Sequence, residues 1–276
     1  LLCRIEKSHC FKGIKNIVLV ASDKGGVGKS TTAVNMALGL AKEGAEVGLL
    51  DADIYGPSLP MMLGLQGQRP LSQDGKTMEP LMAHGVKVNS IGFLIKPEDA
   101  MVWRGPMVSG AFQQILTQTD WPELDYLFID MPPGTGDIQL TLAQKVQVAG
   151  AVIVTTPQDI ALLDAKKGVE MFRKVKIPVL GVVENMSLHT CSNCGHSEPV
   201  FGEGGGDRIA KEYDTVLLGQ LPLALKVREQ ADNGAPSVIS DPEGDIAGFF
   251  GQIGDNMMQQ LGGAVQVTPN ISFSDD

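Results

Sequence analysis

The run SDKGGVGKSTT, Ser22 to Thr32, constrains this chain more than any other, because it follows the apolar segment NIVLVA from Asn16 and opens a helical pattern near Ser30. A buried strand that breaks into glycines and restarts as a helix leaves backbone N–H groups free at the positive helix end, where a polyphosphate binds. Gly25, Gly26 and Gly28 let the backbone wrap such a ligand, in a cradle that runs from Lys24 through Val27 to Thr31. Lys29 then reaches the β and γ phosphates, and Ser30 supplies a hydroxyl to Mg²⁺. A glycine-rich turn that holds nothing would not need this strand and this helix around it.

Apolar runs alternate with helical patterns along the rest of the chain, which implies βαβ units and a parallel sheet covered on both faces. The expected strands are NIVLVA, VGLLD from Val47, YLFID from Tyr126, AVIVTT from Ala151, VLGVVE from Val179 and VLLGQ from Val216. Helices are expected to start near Ser30, Pro106, Ile138, Ile160, Asp207 and Leu223, and the Gly-, Gln- and Pro-rich segment 64–80 reads as an excursion at the sheet edge. The fold class is α/β, a doubly wound and mostly parallel sheet. With 276 residues and 43% hydrophobic content, one large domain over 15–262 is expected. The chain opens on Leu1 rather than Met, so 1–14 read as a leader that could be the remnant of a missing N-terminal domain, and 263–276 as a disordered acidic tail.

The formal net charge of −10 argues against nucleic acid or anionic lipid as a partner. There is no Lys or Arg between Glu229 and Asp276, hence no basic amphipathic tail for a membrane surface, and no apolar run of bilayer-spanning length. Four cysteines, two of them in one CxxC, are no disulfide framework and suit a reducing, cytoplasmic setting.

KGGVGKSTT resembles the deviant Walker A loop of the ParA, MinD and nitrogenase-iron-protein class of P-loop ATPases, in which the first lysine is a signature. The resemblance implies that Lys24 crosses a dimer interface to the phosphates of the other subunit and neutralises charge during transfer; taken alone it would be a solvated surface lysine. Asp23 departs from the glycine common at that place, and turned inward it would weaken nucleotide binding by about tenfold through like-charge repulsion.

DADIYGPS puts Asp51 and Asp53 at the carboxyl edge of the sheet, where α/β ligands bind. Asp53 is expected to orient the attacking water or a Mg²⁺-bound water, its plainer role being to cap a turn. DMPPGTGD gives Asp130 the placement of a Walker B carboxylate for Mg²⁺, with Gly134 and Gly136 free to move and Asp137 as a helix N-cap. With the CxxC, these stretches narrow the resemblance to the Mrp or ApbC iron-sulfur carrier ATPases, over about Lys15 to Pro236.

In ENMSLHTCSNCGH, Cys191 and Cys194 are spaced to grip one metal centre. A [4Fe-4S] cluster held by cysteine alone needs four thiolates, so the simplest completion is a homodimer in which each copy gives two, as the resemblance also implies. Zinc with His196, a redox disulfide, and completion by Cys3 and Cys10 remain as rivals. Asn185 ends the preceding strand, where the resemblance implies an adenine contact and a short route from nucleotide to cysteines. The expectation is a slow ATPase, using ATP and Mg²⁺, that carries a labile [4Fe-4S] cluster to apo iron-sulfur proteins. A ParA/MinD-like spatial organiser and a nucleotide-gated zinc metallochaperone are the alternatives.

Overall fold

A computed structural model describes residues 11, 13–54, 56–94, 105–134, 146–191 and 193–263. Its centre is an eight-stranded sheet. In chain order the strands are β1 (Ile14–Ala21), β2 (Val47–Asp51), β3 (Leu81–Ala83), β4 (Val86–Ser90), β5 (Leu124–Asp130), β6 (Gly150–Thr155), β7 (Val179–Glu184) and, after a small hairpin, β10 (Leu217–Gln220). They lie in the order β10-β7-β6-β1-β5-β2-β4-β3, and every pairing is parallel except β3 with β4. All six strands expected from the sequence are present.

The helices are α1 (Lys29–Lys42), α2 (Leu59–Met62), α3 (Gly105–Gln118), α4 (Asp159–Lys174), α5 (Gly205–Glu212), α6 (Leu225–Asp232), α7 (Ser237–Ser240) and α8 (Asp245–Gly263). Alternation along β1 sends Val18 and Val20 into a core with α1 and α8, and Ile17, Leu19 and Ala21 into a second core with α3 and α4. This is the doubly wound arrangement. It brings the carboxyl ends of β1, β2, β5, β6 and β7 to one edge, where the connections carry the chemistry.

Besides the short helices α2 and α7, three elements were not expected from the sequence. The β3–β4 hairpin turns on His84 and Gly85, both with positive φ (49° and 87°), the two-residue geometry that matches strand twist. The 19-residue α8 contains Gly248, Gly251 and Gly254, which depress helix propensity, yet Phe250, Ile253 and Met257 bury a stripe against α1 and the sheet. The third is the small hairpin of β8 (His189–Thr190) and β9 (Ser197–Glu198), which carries the CxxC. The expected helix near Ile138, Gly136, Asp137, the leader cysteines Cys3 and Cys10, and the tail after Gly263 lie outside the described residues.

Candidate nucleotide and metal site

The phosphate loop hangs between β1 and α1. Gly26 and Gly28 take positive φ (81° and 86°), and Gly28 is the N-cap of α1, its carbonyl accepting from the N–H and the hydroxyl of Thr32 at 2.9 Å each. A Cβ on Gly25 or Gly26 would meet nothing within 4 Å, so the cradle is open on the side a ligand would take. Val27 is buried and anchors the loop in the core. Ser30 and Thr31 occupy the first turn of α1, and the Thr31 carbonyl accepts from the side chain of Asn35.

Strand register gathers the carboxylates. Asp51 and Asp130 end neighbouring parallel strands at the same level, and the Asp130 carbonyl accepts from Ala52 N–H. Lys29 Nζ lies 2.6 Å from Asp130 Oδ1, 3.5 Å from Asp53 Oδ2 and 3.2 Å from Ser30 Oγ. Burial works against the Lys29 ammonium, but Asp130, Asp53 and Asp51 outweigh it and hold its pKa above the ordinary value. Burial, then the charge of Asp130, pushes Asp51 up to about 7 against the pull of Lys29 and the Ser90 hydroxyl. Asp130 is likewise raised, chiefly by burial. Three carboxylates thus share one ammonium in a water-poor site.

The donor set fits Mg²⁺. Asp130 Oδ2 and Asp53 Oδ1 are buried without a hydrogen-bond partner among the described residues, an arrangement that is costly unless a cation or an ordered water completes it. The Asp51 oxygens, by contrast, are satisfied. Oδ1 accepts from Asp53 N–H, and Oδ2 from Leu59 N–H and the Ser90 hydroxyl. Asp51 therefore holds the loop that presents Asp53 and the start of α2. The sequence reading missed this support from Ser90 and Leu59, which depends on β4 lying beside β2.

Lys24 is exposed and has no ion-pair partner among the described residues. Asp23 is half-buried and leans toward Gly134, with Asp164 and Lys167 of α4 close enough to act on it. Burial first, then Asp164, pushes its carboxyl up, while Lys167 pulls it down. Gly134 itself is tied to the loop by its N–H, which donates to the Ser22 carbonyl.

Asn185 Nδ2 donates to the Val27 carbonyl at 2.9 Å, and Oδ1 accepts from Met186 N–H. The chain then runs through Ser187 into the β8–β9 hairpin. At its tip Cys191 N–H donates to the His196 carbonyl and Gly195 N–H to the Cys191 carbonyl, each at 2.9 Å. Both cysteines are free thiols, Cys191 half-buried and Cys194 exposed. The backbone N–H groups of Cys194 and Asn193 point at the Cys191 sulfur and hold its pKa below the ordinary thiol value, which favours the thiolate a metal needs. Among the described residues no three His, Cys, Asp or Glu side chains are grouped to hold a metal ion. No helix among them is long and apolar enough to cross a membrane.

Comparison with known proteins agrees with this geometry. The family model described as ParA: NUBPL iron-transfer P-loop NTPase matches residues 13–258. The iron-sulfur cluster carrier protein of Escherichia coli K12 is 60% identical over 273 residues, covering 99% of this chain and 74% of that one. The iron-sulfur cluster transfer protein NUBPL of Mus musculus is 49% identical over 259 residues, covering 93% and 81%. Among solved structures, the nucleotide-binding protein from Archaeoglobus fulgidus in complex with ADP superposes with a TM-score of 0.74 at 37% identity, covering 87% of this chain and 94% of that one. The cell division ATPase MinD of Pyrococcus furiosus, at TM-score 0.67, 21% identity and coverage of 88% and 98%, shares the fold. With its phosphate loop, paired strand-end carboxylates and matched length, the chain belongs to the iron-transfer P-loop NTPase family of ParA type.

Proposed function

We propose that this chain binds and hydrolyses ATP, and that two copies together hold a [4Fe-4S] cluster which they deliver to apo iron-sulfur proteins. The observation that carries the reading is a CxxC on an exposed hairpin tip, with no third ligand grouped beside it among the described residues. Two thiolates from each of two copies complete the four that a cluster needs. A cargo held at a solvent-facing tip can be released, as a carrier requires. The names of the E. coli and mouse relatives support an iron-sulfur cluster as the cargo.

At the nucleotide, the N–H groups from Lys24 to Thr31 bind the phosphates, and Lys29 leaves its carboxylates to pair with the β and γ oxygens. Ser30 and Asp130 would hold Mg²⁺, which supplies charge neutralisation between those oxygens. Asp53, positioned by Asp51, orients the water that attacks the γ phosphorus, giving ADP and inorganic phosphate. Lys24 is exposed, free to reach the phosphates of the other copy and stabilise the charge of transfer. Asn185, beside the loop at the end of β7, is placed to contact the adenine.

Anaerobic reconstitution with iron, sulfide and zinc, assayed per dimer in the wild type and in Cys191→Ala, tests the reading. The expected result is four iron and four sulfide per dimer, lost in the variant. Zinc bound in preference to iron, or a full cluster on a monomer, would overturn it.

A further inference from the structure

Beyond β10 the chain does not return directly to α8. Residues 221–240 cross the carboxyl edge of the sheet, and their contacts join two regions far apart in sequence. At the near end, Leu221 N–H donates to the Glu184 carbonyl, the Leu221 carbonyl accepts from both the N–H and the hydroxyl of Ser187, and Leu223 N–H donates to the Leu188 carbonyl. His189 Nδ1 donates to the Leu223 carbonyl at 3.1 Å. The pairing of β7 with β10 thus continues past the strand ends up to the residue two before Cys191. The cysteine hairpin is docked on this segment.

At the far end, α6 packs on α2, the short helix hung from Asp51 through Leu59 N–H. Gly234 and Gly64 meet backbone to backbone, since a Cβ on Gly234 (φ +74°) would lie 2.8 Å from Gly64 Cα and 2.9 Å from Gly64 N. His84 Nε2 donates to the Gly234 carbonyl at 3.0 Å, and Val238 N–H to Asn35 Oδ1 of α1 at 3.1 Å. Two backbones in contact without side chains between them cannot slide freely, so a shift of one is passed to the other.

We propose that residues 221–240 form a strap that couples the segment bearing Asp53 to the position of Cys191 and Cys194, with the Gly64–Gly234 contact as the point of transfer. This rests on the nucleotide and cargo reading given above. Its physical origin is the shared Lys29. A γ phosphate competes with Asp53 for that ammonium, so tri- and diphosphate leave the 52–62 segment in different positions. Through α2, Gly64 and Gly234 the difference reaches Leu221 and Leu223, and with them the base of the hairpin. Nucleotide state would then set how exposed the two thiols are, and so when cargo is released.

The test reads thiols rather than cargo. In the reduced, cluster-free full chain, iodoacetamide labelling of Cys191 and Cys194 is followed by peptide mass under saturating Mg·ADP or Mg²⁺ with β,γ-imido-ATP. The expected wild-type rates differ between the nucleotides by about fivefold or more, and Gly234→Ala brings the ratio close to one while both nucleotides stay saturating. Arg228→Ala, on the exposed side of α6, keeps the wild-type ratio. Equal rates in the wild type, or an undiminished ratio in Gly234→Ala, overturns the strap. If Gly234→Ala shows no cooperative melt, His84→Ala decides, because it removes only the bond to the Gly234 carbonyl; an unchanged ratio there overturns the proposal as well. Iron loading of the same preparations keeps the two readings apart: failure to bind iron sinks the carrier reading, while the thiol ratio still judges the strap.

Discussion

Asn185 fastens the phosphate loop to the base of the cysteine hairpin, its Nδ2 donating to the Val27 carbonyl across 2.9 Å and 158 positions of sequence. The contact also explains why position 28 is glycine. A Cβ there would come within 2.1 Å of Asn185 Nδ2, and φ at this residue is +86°. One side chain thus joins the phosphate loop to the base of the hairpin.

Gly28→Ala is expected to lower stability by about 1–3 kcal/mol through the clash and the disfavoured φ, and to abolish nucleotide binding. Adding Asn185→Ala should recover part of the stability, because it removes the clash and leaves the φ cost. Denaturant titration of the single and double variants measures both terms; a double variant no more stable than Gly28→Ala alone contradicts the packing account.

The buried carboxylates predict an inverted pH response. Asp51 has a folded pKa of about 7 against an ordinary value of 3.8, so the stability it contributes is complete below its unfolded pKa and disappears as pH rises through about 7. Without nucleotide, the melting temperature should fall between about pH 5.5 and pH 8, and Mg·ADP should flatten the fall by neutralising the site. Lys29→Met removes the ammonium that pairs with the buried Asp130 and Asp53 and should cost about 3–5 kcal/mol at pH 8, with a smaller loss at pH 5.5 where carboxylates can take up protons. Melts across that range, with and without Mg·ADP, check the sign.

Asp53→Ala should retain nucleotide and lose about 10²-fold or more in hydrolysis, and Lys24→Ala about 10³-fold. Mixing the two distinguishes action within a copy from action across copies. In a mixed dimer one site has an intact Asp53 and receives an intact Lys24, so an equal mixture should regain about a quarter of wild-type activity under random pairing. No regain on mixing places Lys24 in its own subunit's site.

Cys194→Ala and Cys191→Ala should each abolish cluster loading, while thermal stability stays within about 0.5 kcal/mol of wild type because neither side chain is part of the buried core. Iron and sulfide content together with denaturant melts report the two quantities on one sample.

Much of this protein is legible in its linear order. Strands that are apolar throughout, such as VGLLD and AVIVTT, could only lie inside a sheet covered on both faces, and the glycines of GGVGKS could only serve a backbone that closes on phosphate. The sequence also placed Asp53 and Asp130 at strand ends. It did not disclose β3, β4 or α8, because strands of three and five residues and a glycine-studded helix have little intrinsic preference and are held by what they bury: Met257 and Phe250 against α1, Val88 against β2. Nor did it show that the Asp51 oxygens are taken up by hydrogen bonds, since one of these comes from Ser90 on the neighbouring strand.

Local chemistry, then, was written in order along the chain: which residues can bend, which can bury and which can hold charge. Tertiary structure alone decided which distant groups share one environment, such as Lys29 with Asp130, Asn185 with Val27 and Gly64 with Gly234. The physical reason is that burial and charge coupling depend on separation in space, which only the completed packing of sheet and helices determines.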